Sequence, residues 1–150
     1  MRFSHFLFRS VWQLPAPPDA VYAVLERAEE YPRWWPQVRS VTGLGDDSGA
    51  ARFRSLLPYD LRVTASATRK DPHARVLEIA MHGDLEGWAR WTVTAHGPGA
   101  RALYEQEVDV RKPLMRLLAL PCRPLFVANH AAMMRSGRRG LTALLSRGGV

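Results

Sequence analysis

Residues 123–147 read RPLFVANHAAMMRSGRRGLTALLSR, and their spacing predicts a helix from Pro124 to about Arg147. At 3.6 residues per turn, Phe126, His130, Met133, Gly137, Leu141 and Leu144 fall on one narrow face, and Arg135, Arg138 and Arg139 fall on the opposite one. One face therefore wants a core and the other wants water or an anion. A histidine and a glycine within the apolar face imply that the helix covers something other than a fully packed apolar interior. Glycine inside a helix costs about 1 kcal/mol relative to alanine, so Gly137 is expected where helix and strand backbones approach closely.

What such a helix covers is read from the residues before it. Residues 3–14, FSHFLFRSVWQL, are rich in Phe, Val and Trp and predict a first strand, with bulky groups on both faces. In PAPPDAVYAVLERAEEYPRWWP the prolines set up a helix start, Asp19 suits the first turn, and Val21, Val24, Leu25 and Ala28 form an apolar stripe. Tyr31-Pro32 is expected to end that helix, with Arg33, Trp34 and Trp35 forming a turn or second short helix closed by Pro36.

From Gln37 onward, turn signals recur at Gly45 to Gly49, Pro58 to Asp60, Lys70 to His73, Gly83-Asp84 and Gly97 to Gly99. They separate β-rich runs near 37–43, 50–57, 60–69, 74–82, 86–96 and 101–110, the pattern of an antiparallel meander. Alternation puts Leu77, Ile79 and Met81 on one face, and Trp91, Val93, Ala102, Tyr104, Gln106 and Val108 inward. Pro113 opens a helical stretch that Pro121 and Pro124 should interrupt. The order strand, helix pair, six strands, long helix is α+β, in one domain over 1–150, with the terminal helix covering the concave face of about seven strands.

This order resembles the helix-grip superfamily, which includes Bet v 1-like, START-like and polyketide cyclase/dehydrase proteins. The residues that carry the resemblance are LPAPPDAVYAVL, YPRWWPQV, GDLEGWARWTV and the amphipathic last helix. It implies a seven-stranded antiparallel sheet wrapped around the terminal helix with a hydrophobic cavity between them. It does not imply one activity, because members range from lipid carriers and quinone-binding chaperones to hormone receptors and aromatase/cyclases.

Composition narrows the remaining classes. The chain has 150 residues, 47% hydrophobic and 23% charged, an ordinary globular balance. A single cysteine, Cys122, excludes an internal disulfide, and no His or Cys pair has metal spacing. With no signal pattern and no apolar run near the ~20 residues that span a bilayer, a cytoplasmic location is expected. Phosphate loop, GxSxG elbow and CxxC are absent from the sequence, and no cofactor is expected. Residues 1–110 carry 13 basic and 14 acidic side chains, whereas 111–150 carry 8 basic and none acidic. The ridge Arg135, Arg138, Arg139 is thus a candidate for weak contact with RNA, a ribosome or an acidic membrane, the alternative being a solvated face.

The expected function is binding of a hydrophobic small molecule, a lipid, isoprenoid or polyketide-like compound, by a carrier or sensor. Asn129, His130, Tyr104 and Gln106 would orient its oxygen-bearing end, and Trp34, Trp35, Trp91, Phe126, Met133 and Met134 would supply contact area. The alternative for the tryptophans and methionines is ordinary core, and for His130 a hydrogen bond to Tyr104 or Gln106. A second reading is a cyclase, aromatase or dehydratase with His130 as general base and Tyr104 or Arg54 stabilising an enolate, although Arg54 flanks an inward Phe53 and can equally face solvent.

Overall fold

The turn residues cut the chain into strands long enough to bury one face each, and the order of the elements follows from how those faces are covered. A computed structural model describes residues 4–45, 47–54 and 60–147. The strands are β1 (His5–Leu14), β2 (Val38–Gly45), β3 (Ser48–Phe53), β4 (Leu61–Asp71), β5 (Val76–Gly83), β6 (Leu85–His96) and β7 (Gly99–Val110). They pair antiparallel in the order β1-β7-β6-β5-β4-β3-β2. The helices are α1 (Pro18–Glu26), α2 (Pro113–Leu118) and α3 (Arg123–Ser146), with a 3₁₀ turn at Ala28–Arg33. This is the helix-grip fold. Phe3, residues 55–57 of the expected third strand and the turn signal at Pro58 lie outside the described residues. No helix among those described is long and apolar enough to cross a membrane.

In β1, Phe6, Trp12 and Leu14 are buried while Leu7 and Val11 are exposed, so the strand alternates even though both faces are apolar. The first helix departs from expectation. It stops at Glu26, five residues before Tyr31, and Ala28 is exposed instead of extending the stripe. Proline disfavours α geometry in the residue before it and has no N–H, so the Tyr31-Pro32 pair is accommodated in a tighter turn. There the Tyr31 hydroxyl donates to the Leu25 carbonyl at 2.5 Å, tying the turn back to α1.

Five aromatic side chains, Trp12, Trp34, Trp35, Trp91 and Tyr31, form a cluster between the sheet and the C-terminal half of α3. Trp12 lies 5.4 Å from Trp35 and 4.8 Å from Trp91 between ring centroids, and Trp34 stacks on Trp35. Val21, Leu25, Met134, Leu141 and Leu145 complete that core, and a second core around Phe6, Met81, Val108, Met115 and Phe126 lies toward the other end.

Gly137 is buried, but against indole rings, not strand backbone as expected. A Cβ there would stand 2.5 Å from Cε2 of Trp35 and 2.8 Å from Cη2 of Trp12. The missing side chain also uncovers the carbonyl one turn back, and the Trp35 indole N–H donates to Met133 O at 3.0 Å. The close backbone approach occurs at Gly140 instead, where a Cβ would overlap the carbonyl oxygen of Trp34. Gly137→Leu is therefore expected to lower stability by roughly 2–3 kcal/mol through overpacking and loss of the indole hydrogen bond. An unchanged urea midpoint would show that the rings have room to retreat.

Candidate functional site

Between the two cores the sheet and α3 stand apart, leaving a cavity of about 660 Å³. Its walls are residues of all seven strands, among them Phe6, Phe8, Phe53, Leu77, Ile79, Met81, Ala89 and Trp91, closed by Met115, Phe126 and Met133 from the helices. The volume falls in the range of small-molecule pockets. At one end the lining includes the exposed residues Glu26 to Glu29, Asp47, Arg69 and Lys70, so the cavity opens between the 3₁₀ turn and the β2–β3 hairpin. At the other end Met115 of α2 and Phe126 of α3 cover it.

One polar island lies inside. Gln106 is the single polar residue in the fully buried class among the described residues. Its Oε1 accepts from the Tyr104 hydroxyl at 2.9 Å and lies 3.0 Å from His130 Nε2, while its Nε2 faces the Met81 sulfur at 3.6 Å. Sulfur is a weak acceptor and no donor, so the amide orientation is determined: the oxygen must face the two donors. That choice sets the imidazole as well. His130 carries its proton on Nε2 and its lone pair on Nδ1. The ring stacks on Phe8, centroids 3.7 Å apart, and on Tyr104 at 6.2 Å.

Burial among these rings disfavours the charged imidazole and lowers the His130 pKa to about 4. Burial also raises the phenol of Tyr104, so both titratable groups at the island are neutral at pH 7. Among the described residues no three His, Cys, Asp or Glu side chains converge as metal ligands.

The sequence profile of the family described as polyketide cyclase / dehydrase and lipid transport matches residues 14–134. The chain belongs to this family. Among solved structures, similar folds include the START superfamily protein from Mycobacterium smegmatis, with TM-score 0.76 and 11% identity over 94% of this chain and 97% of that one. The Zhui aromatase/cyclase from Streptomyces sp. R1128 follows with TM-score 0.74 and 14% identity over 95% and 94%. The Thermus thermophilus protein TTHA0849 has TM-score 0.72 and 17% identity over 92% and 98%. At these identities the likeness is one of fold. No curated protein sequence matches the chain.

Within this family frame, the residues singled out from sequence divide. Trp35, Trp91, Tyr104, Gln106, Phe126, Asn129, His130 and Met133 line the cavity. Trp34 and Met134 do not; each is buried in the tryptophan core, because neighbours in sequence point about 100° apart on a helix and differently again in a turn. Arg54 does not reach the interior either. It follows the inward Phe53 and lies 3.8 Å from Asp60, which Arg52 also holds at 2.8 Å. The hydrogen bond from Arg52, with the charges of Arg52 and Arg54, lowers the Asp60 pKa. Arg135, Arg138 and Arg139 are exposed on α3. Cavity residues not singled out as contacts include Phe8, Tyr31 and Met115. Leu77, Ile79 and Met81 were legible as sharing one face, and that alternation was the available signal.

Proposed function

We propose that the protein binds a hydrophobic small molecule non-covalently, as a carrier or sensor of a lipid, isoprenoid or polyketide-like compound, with an uncharged oxygen group at Gln106 and His130. The observation that carries this reading is the neutral, hydrogen-bonded island of Tyr104, Gln106 and His130, set among apolar walls away from the charged mouth of the cavity. With Gln106 Oε1 occupied twice, what remains for a ligand is the second amide N–H and the His130 Nδ1 lone pair. One donor and one acceptor suit a hydroxyl or carbonyl. A carboxylate or ammonium would enter the apolar interior without a counter-ion, at a cost of several kcal/mol.

The same observation weighs against general base catalysis. A base works best with its pKa near the operating pH, and burial has taken His130 well below that. The Tyr104 hydroxyl donates to Gln106, so it would have to break that bond to serve an enolate. Arg54, on the solvent side, cannot contribute.

Native mass spectrometry of protein purified from its own host is expected to show a retained, uncharged hydrophobic ligand. His130→Gln keeps hydrogen-bonding capacity and should hold that ligand within about tenfold of wild type, or ~1.4 kcal/mol. A substrate whose turnover falls by about 10²–10⁴-fold in His130→Gln while its affinity survives would replace the binder with a cyclase or dehydratase.

A further inference from the structure

The elbow between α2 and α3 has two different faces. Met115, Ala119 and Phe126 point inward and are buried, closing the end of the cavity away from its mouth. On the outside, Leu114 is 49% exposed, Leu117 75%, Leu120 60%, Leu125 51% and Val127 46%. Five of the eight large apolar side chains exposed among the described residues therefore fall within fourteen positions. Leu114, Leu117 and Leu120 recur at a spacing of three, so the first two share one side of α2 and the third continues the row into the turn. Scattered exposed leucines are normal on a protein surface, but a concentrated row of them is not.

Along residues 111–150 the charge beside the row is one-signed, although across the fold Asp84 lies near Lys112 and Glu86 feels the charge of Arg111. Arg111, Lys112, Arg116 and Arg123 accompany these leucines, and residues 111–150 contain no acidic side chain. Backbone carbonyls hold two of these cations in place: Arg116 donates to the Val110 carbonyl at 3.2 Å, and Arg123 donates to the His5 carbonyl at 2.8 Å and sits over the Phe6 ring. Lys112 lies 3.8 Å from Asp84, at the edge of ion-pair distance.

We infer that this elbow docks the protein on an anionic lipid surface, the leucines entering the headgroup–acyl boundary and the basic side chains contacting lipid phosphates and carboxylates. Composition selects a membrane over a protein partner. Protein interfaces concentrate their energy in tryptophan, tyrosine and arginine, with leucine under-represented, whereas interfacial segments combine aliphatic side chains with lysine and arginine. Each cation near an anionic leaflet adds attraction that salt screens. The docking does not depend on a loaded cavity, although it would bring the cavity's covered end against the source of any lipophilic ligand.

The test is co-sedimentation of the full chain with phosphatidylcholine vesicles, with and without phosphatidylserine, at low and high salt. Wild type is expected to bind the phosphatidylserine vesicles and to release as salt rises. Leu117→Asn combined with Leu120→Asn, both at exposed positions, should weaken binding at least about tenfold with an unchanged melting temperature, because partial burial of two leucine side chains is worth more than that factor. The triple variant Arg135→Gln, Arg138→Gln, Arg139→Gln should still bind. The inference is overturned if wild type ignores both kinds of vesicle, if the leucine variant binds as well as wild type, if the triple variant alone loses binding, or if the protein retains RNA but no vesicles.

Discussion

Gly140→Ala is expected to destabilise the protein by at least about 3 kcal/mol, a fall in melting temperature of roughly 10 °C for a domain of this size. In an isolated helix the same substitution would gain about 1 kcal/mol, so both sign and size test the packing. The added methyl would overlap the Trp34 carbonyl oxygen and stand 2.8 Å from its carbon, and both atoms belong to backbone that cannot rotate away. Relief requires α3 to move off the turn that carries Trp34 and Trp35. That movement would break the Trp35 bond to Met133 O and loosen the stack of Trp12, Trp34, Trp35 and Trp91. Thermal unfolding of Gly140→Ala beside Arg139→Ala, an exposed neighbour on the same helix, measures the effect. Equal melting temperatures would mean that helix and turn do not meet at this glycine.

How much of this was legible depended on whether a side chain's direction is set locally. Turn residues at regular spacing and the alternation of Leu77, Ile79 and Met81 are local, and they point to the strands and their inward faces. Gln106 and Tyr104 were legible for the same reason, two apart on one strand and so on one face, within reach of a histidine on the covering helix. In β1 the pattern was silent because Leu7 and Val11 stay exposed, so hydrophobicity did not mark the inner face. Trp34 against Trp35, and Met133 against Met134, are divided by tertiary packing that no period distinguishes. Gly140 was overlooked although it lies three residues after Gly137 and on nearly the same side of the helix. The pair of glycines was the available sign that α3 receives a close neighbour there.

Between pH 7 and pH 5 the protein is expected to lose roughly 2 kcal/mol of stability through His130 alone, and about 3 kcal/mol by pH 4. The folded pKa of about 4 lies below the ordinary value of 6.5, so across this window the unfolded chain binds more protons than the folded one. Stability is therefore full above pH 6.5 and falls as pH drops toward 4. The carboxylates of Asp60, Asp71, Glu78 and Glu86 are held below their usual values, led respectively by hydrogen bonds from Arg52, the Ala74 N–H, Arg90 and the Gly83 N–H. Their protonation weakens the fold at lower pH, which leaves the upper part of the window to histidine. Urea unfolding at pH 7 and pH 5 should accordingly show a smaller pH effect in His130→Gln than in wild type, by most of those 2 kcal/mol. Matching slopes would mean that the imidazole is solvated after all. A proton on Nδ1 would also remove the one acceptor that His130 offers a ligand and place a charge beside Phe8 and Tyr104, so an alcohol bound there should stay bound at pH 5 and be released only as pH falls through about 4.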